Sequence, residues 1–172
     1  MYVALLRGIN VGGKAKLPMK ELAGIFAACG ASRVQTYIQS GNVVFESAKA
    51  EVTVETVTAE IARIYGYPGR IVLRTAEQLR MAYLGNPFAG AAAETLHVYF
   101  LADLPKRAAI EGLNADRSQG DSFVVKEREV YLHLPGGMAR TKLTNAYFDK
   151  QLQTVSTARN WNTVGKLVEL CS

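Results

Sequence analysis

Val34-Gln35-Thr36-Tyr37-Ile38-Gln39-Ser40-Gly41-Asn42-Val43-Val44-Phe45-Glu46 is the stretch from which the fold is read. Both of its ends are rich in β-branched and aromatic residues, and Ser40-Gly41-Asn42 between them is a turn signal. The reading is two strands, Val34 to Gln39 and Asn42 to Glu46, joined as a hairpin. By the two-residue period of a strand, Tyr37 and Gln39 share one face and Ile38 takes the other.

Working outward, the periodicity predicts a helix on each side of this hairpin. Upstream, Pro18 suits a first helical position, and Met19, Leu22, Ile25, Phe26 and Cys29 form an apolar stripe that Gly30 can terminate in the left-handed conformation. Downstream, Val54, Val57, Ile61 and Ile64 lie on one face of a helix from about Thr53 to Tyr65, which stops at Gly66. Tyr2 to Arg7 and Arg70 to Arg74 supply the outer strands. The order is β-α-β-β-α-β, the split βαβ or ferredoxin-like unit. A further helix starts at Thr75, with Gln78 as its capping-box partner, and ends before Asn86-Pro87. The Gly- and Ala-rich stretch from Asn86 to Glu94 reads as a linker.

The second half repeats the order. Leu96 to Leu101 is a strand, a helix begins near Pro105, and Ser122 to Lys126 pairs with Glu129 to Leu134. Thr141 is positioned to cap a helix through about Leu152, Val155 to Ala158 makes a last strand, and Trp161 to Cys171 an added helix. The expectation is an α+β chain of two related ferredoxin-like subdomains with mainly antiparallel sheets. They cover residues 1–75 and 95–172, with a helix and linker at 76–94 and the C-terminal helix in the second. The halves match in element order and not in residues.

Composition narrows the function classes. With 49% hydrophobic residues in 172, the chain can form a packed core. A net charge of +5 suits phosphorylated ligands or nucleic acid, without a Lys/Arg tract of the kind basic tails carry. Cys29 and Cys171 fall on helical stripes and read as buried thiols, not as a disulfide framework. Two histidines with no Cys or carboxylate cluster at ligand spacing argue against a structural metal, and no G-x-S-x-G elbow is present. No signal peptide is read, and no apolar run approaches the roughly 20 residues of a membrane span. The expectation is a soluble, cytoplasmic protein.

Four groups of residues could carry function. The first is Arg7-Gly8-Ile9-Asn10-Val11-Gly12-Gly13-Lys14, directly after the first strand. From Gly8 it fits the start of a phosphate-binding loop, G-x-x-x-x-G-K. The fit then fails, because Ala15 stands where Mg²⁺ binding needs a hydroxyl and Lys16-Leu17-Pro18 delays the helix. What remains is a basic Gly-rich loop. Gly8, Gly12 and Gly13 can present N–H groups to an anion, Arg7 and Lys14 supply charge, and Asn10 offers an amide. The second group is the turn Gln39-Ser40-Gly41-Asn42 with Tyr37. The third is Arg159-Asn160-Trp161-Asn162-Thr163. Here Asn160 is a natural N-cap, and the guanidinium of Arg159 with Asn162 and Thr163 could meet an anion at the helix start. The fourth is a strand face: alternation puts His97 with Tyr99 and Tyr131 with His133, and all four are expected on one sheet face away from the helices. Such a face can stack RNA bases or pack against another sheet.

Leu6 to Lys14, Thr36 to Phe45 and Arg159-Asn160-Trp161-Asn162-Thr163-Val164-Gly165-Lys166-Leu167 together resemble the bacterial family known as domain of unknown function 1697. The resemblance runs from the first strand to the last helix. It implies two related ferredoxin-like subdomains and brings no activity and no catalytic residues.

The function expected is binding of a small phosphorylated or nucleotide-like ligand at the Gly-rich loop, helped by the Gln39–Asn42 turn and Arg159–Thr163. The alternatives are a nucleic-acid-binding module and a protein-interaction or dimer scaffold. No residue pattern names a reaction.

Overall fold

The structure is a computed structural model and describes residues 1–13 and 15–172. Lys14, named above as an end of the Gly-rich loop, lies outside the described residues. The chain divides into two compact units, Met1–Met81 with Lys166–Ser172, and Ala82–Gly165.

In the first unit the elements are β1 (Tyr2–Leu6), α1 (Met19–Ala28), β2 (Ser32–Tyr37), β3 (Asn42–Glu46), α2 (Ala50–Tyr65), β4 (Ile71–Thr75) and the start of α3 (Ala76–Leu84). The four strands form an antiparallel sheet in the order β2-β3-β1-β4. Ala4, Leu6, Val43 and Phe45 face α1 and α2, where they pack with Leu22, Phe26, Val54, Val57 and Ile61. The Phe26 and Phe45 ring centroids are 5.1 Å apart. Truncating either ring removes a fully buried aromatic, a change that typically costs about 3–5 kcal/mol. Val3, Leu5, Val44 and Val72 take the other face of the sheet and are buried as well. Burial on both faces is why β1 is an unbroken apolar run instead of an alternating one.

The expected elements shift in two places here. Pro18, with ψ near 135°, precedes the helix, and α1 begins one residue later at Met19. Gly66 terminates α2 in the left-handed conformation as expected. The second strand ends at Tyr37, because Ile38 has φ 48° and turns the chain out of the sheet. Gln39 therefore leaves the strand and does not share a strand face with Tyr37. The capping box at α3 forms: Gln78 N–H donates to Thr75 Oγ1, and Thr75 N–H to Gln78 Oε1, both at 3.0 Å.

In the second unit, a 3-10 turn at Ala93–Thr95 leads into β5 (Leu96–Leu101), followed by α4 (Arg107–Glu111), β6 (Ser122–Lys126), β7 (Glu129–His133), α5 (Asn145–Leu152), β8 (Ser156–Asn160) and the start of α6 (Trp161–Leu170). Its antiparallel sheet has the order β6-β7-β5-β8. The β-α-β-β-α-β order expected of each half is the order each unit has. Tyr99, Leu101, Val130 and Leu132 pack with Leu143, Phe148 and Leu152.

Two readings of this half are corrected. Thr144, not Thr141, caps α5, accepting from Tyr147 N–H at 3.2 Å, while Thr141 Oγ1 accepts from Leu143 N–H in a local turn. The four His and Tyr residues do not share a face. Val98 stands opposite Tyr131, and Tyr99 opposite Val130. Directly opposed residues in an antiparallel pair point the same way. So His97 and Tyr99 lie on the helix side, and Tyr131 and His133 on the other. Alternation fixed the faces within each strand correctly, but the pairing register decides which faces coincide. Glu129 is buried at the start of β7.

Candidate functional site

The loop after β1 is held by a small number of residues. Leu6 N–H donates to Gly41 O at 2.8 Å, and Arg7 N–H to Arg70 O at 2.9 Å, which fixes where the loop departs. Ile9 is buried and packs over Gly41. A Cβ on Gly41 would stand 2.7 Å from both Ile9 Cδ1 and Leu6 Cβ, and its φ is +76°, so space and backbone both demand glycine. Asn10, at φ 55°, commits its whole side chain. Its Nδ2 donates to Leu17 O and Gln39 O, both at 2.9 Å, and its Oδ1 accepts from Leu17 N–H at 2.8 Å. Ala15 O closes the loop by accepting from Asn10 N–H at 3.0 Å and from the Tyr67 hydroxyl at 3.2 Å. Buried Leu17 anchors the far end.

Between those anchors the loop projects outward, and Val11 is 65% exposed. Gly8, Gly12 and Gly13 all have positive φ, and a Cβ on any of them would meet no atom within 4 Å. These three glycines are therefore demanded by backbone shape, with open space in front of them.

Beside the loop is a cleft of about 620 Å³ lined by Asn10, Gly13, Lys16, Leu17, Pro18, Met19, Lys20 and Gln39. It joins the first two sequence stretches, which the Asn10–Gln39 hydrogen bond links directly. No carboxylate stands among its described lining residues. Among the described residues, the Lys16 and Lys20 ammonium groups and the Gln39 side-chain amide enter no hydrogen bond or ion pair. The cleft also holds the first turn of α1, which no side chain caps. Its leading N–H groups carry the positive end of the helix dipole. Helix N–H donors, two lysines and an apolar wall thus stand together in this cleft.

Other expected site residues serve the framework. Asn42 is fully buried, and its Nδ2 donates to Tyr37 O and Ser40 Oγ at 3.0 Å, closing the hairpin. In the second unit, Arg159 is buried in β8, donating to Thr157 Oγ1 at 2.9 Å and Ala158 O at 2.6 Å. Burial pushes its guanidinium down to about 10, still charged at neutral pH. Asn160 Oδ1 accepts from Thr163 N–H at 2.8 Å, the expected N-cap of α6, and Thr163 is buried. Of that stretch, Asn160 and Asn162 are exposed. The expected aromatic platform is also spent internally. Tyr99 donates to Leu143 O at 2.8 Å and Tyr131 to Ala82 O at 2.7 Å, and burial raises both phenols, Tyr99 to about 12.

Sequence reasoning missed Lys16 and Lys20. A signal was present. Both cations flank the start of a helix, the end where the dipole favours acids, so they sit there against the local preference. A second groove of about 340 Å³ between α1 and α2 is lined by Glu21, Ile25, Cys29, Glu60, Ile64 and Tyr65, among others. Its acids suit no anion: Glu60 pairs with Arg63, and Glu21 accepts from the Tyr65 hydroxyl. Burial, with Glu60 nearby, raises the Cys29 thiol above its ordinary value. No group of His, Cys, Asp and Glu among the described residues could hold a metal, and no helix among them is long and apolar enough to cross a membrane.

Residues 1–131 match the family described as protein of unknown function (DUF1697). No curated protein matches the chain. Among solved structures, the conserved bacterial protein SP0830 from Streptococcus pneumoniae is similar, with a TM-score of 0.74 and 24% sequence identity over 99% of this chain and 97% of that one. That likeness extends to the fold.

Proposed function

This chain belongs to the DUF1697 family of proteins of unknown function, and we propose that it binds a small phosphorylated molecule in the cleft between the Gly-rich loop and the start of α1. The observation that carries the reading is the meeting, among the described residues, of two uncommitted lysines and an uncapped helix start in one cleft lined by no carboxylate. Lys16 and Lys20 neutralise the anion. N–H groups of the loop glycines and of the first turn of α1 donate to its oxygens, as helix starts and glycine-rich loops do elsewhere. Asn10 acts as the brace that holds loop and turn together, not as a ligand contact. The described lining residues offer cations, amides and apolar side chains, groups that bind a ligand, and no reaction is assigned to them. The nucleic-acid alternative loses its aromatic platform, since Tyr99 and Tyr131 are buried.

A thermal-shift panel of inorganic phosphate, pyrophosphate, sugar phosphates and a short RNA tests the reading. A ligand at about 100 times its Kd adds roughly 2.7 kcal/mol, worth roughly 5–10 °C for a chain of this size. The expected result is a shift with a small phosphorylated compound that Lys16→Ala/Lys20→Ala abolishes without lowering the unliganded melting temperature. A shift with RNA alone, or one unchanged in the double variant, rejects the cleft.

A further inference from the structure

Resting on that reading, we infer that the ligand is a nucleoside monophosphate whose base lies on the Pro18–Met19 wall while Gln39 hydrogen-bonds its edge. Three observations support this.

The first is size and lining. At about 620 Å³ the cleft far exceeds a phosphate ion, and Leu17, Pro18 and Met19 give it an apolar wall. Clefts of a few hundred Å³ with apolar walls and a few polar groups fit organic ligands with one polar end. The second is the state of the amides. Asn10 and Asn42 both spend their side chains on the framework, Asn10 on Leu17 and Gln39 and Asn42 on Tyr37 and Ser40. Gln39 is the amide in the cleft that remains available among the described residues. A carboxamide presents a donor and an acceptor side by side, the same pairing that a nucleobase edge offers. An oxyanion, which only accepts, would use half of it, and sugar hydroxyls lack the flat paired edge that a carboxamide matches.

The third is how Gln39 comes to be there. In an uninterrupted strand it would follow the two-residue alternation of β2. Ile38 instead adopts φ 48°, a conformation that β-branched residues avoid, and 47% of its surface is exposed. The kink takes Gln39 out of the sheet and into the cleft lining, and Asn10 Nδ2 then fixes the Gln39 carbonyl at 2.9 Å. An energetically unfavourable backbone held in place by a brace is what pre-positions one side chain.

The test is calorimetric titration of the full chain and of Gln39→Ala with adenosine, guanosine, cytidine and uridine monophosphates, ribose 5-phosphate and inorganic phosphate. The expected result is that one or more nucleoside monophosphates bind about tenfold or more tightly than ribose 5-phosphate. Gln39→Ala should bring them to the ribose 5-phosphate level and leave ribose 5-phosphate and phosphate binding unchanged. Gln39 is exposed and its side chain bonds nothing in the fold, so the variant is expected to melt as the parent does. Equal affinity for nucleoside monophosphates and ribose 5-phosphate, or no effect of Gln39→Ala, overturns the inference and leaves the anion site standing. Failure of every compound to bind, phosphate included, overturns both.

Discussion

Glycine has two different jobs around the loop, and the difference is measurable. Gly41 is enclosed, with Ile9 and Leu6 at 2.7 Å from where a Cβ would sit, whereas Gly12 has open space. Both have positive φ. Gly12→Ala is therefore expected to cost only the left-handed backbone penalty, about 1–2 kcal/mol. Gly41→Ala adds the displacement of two packed side chains and is expected to cost about 3 kcal/mol or more. Urea denaturation of the two variants decides it, and equal losses would mean that the Ile9–Gly41 packing does not anchor the loop. At this scale the sequence was legible where a residue has one reason to be present. Asn160 as N-cap and Thr75 with Gln78 as a capping box are local, and both form. Asn10 was not legible in the same way. Its partners, Leu17 and Gln39, are set by how a loop and a turn meet, which no local pattern encodes.

Among the elements, helix and strand order could be read because hydrophobic period and breakers agree along the chain. Register could not. Whether His97 lies beside Tyr131 or behind it depends on a one-residue choice in the β5–β7 pairing, and the structure makes the choice that buries Tyr99 among the helices. The same geometry leaves His97 Nδ1 buried with no hydrogen-bond partner. Burial pulls the imidazole below its ordinary value of 6.5, partly offset by a hydrogen bond with the Thr95 backbone. The folded state thus takes up a proton less readily than the unfolded chain. Stability is full above that ordinary value and falls as pH drops through it towards the lower folded value, with a slope of at most about 1.4 kcal/mol per pH unit from this residue. His97→Phe, compared with the parent by urea denaturation between pH 7.5 and 5, is expected to flatten part of that slope. Parallel slopes in the two proteins would show that His97 titrates in the fold as it does in the unfolded chain.

Over the whole molecule, the order β-α-β-β-α-β occurs in each unit, and each half of the sequence carries its own apolar strands, hairpin and helices. The cleft was only half legible. The Gly-rich loop and the Gln39 turn stood out through glycine and amide content, while Lys16 and Lys20 enter the site only once Pro18 ends the loop and α1 begins at Met19. The account rests on an anion occupying that cleft. Titrating the ¹⁵N-labelled full chain with inorganic phosphate, and following each backbone amide by NMR, tests this most directly. The account predicts saturable shifts concentrated at Gly8, Gly12, Gly13, Lys16 and Gln39 and in the first turn of α1. Shifts confined to other surfaces, or none at these amides, would contradict it.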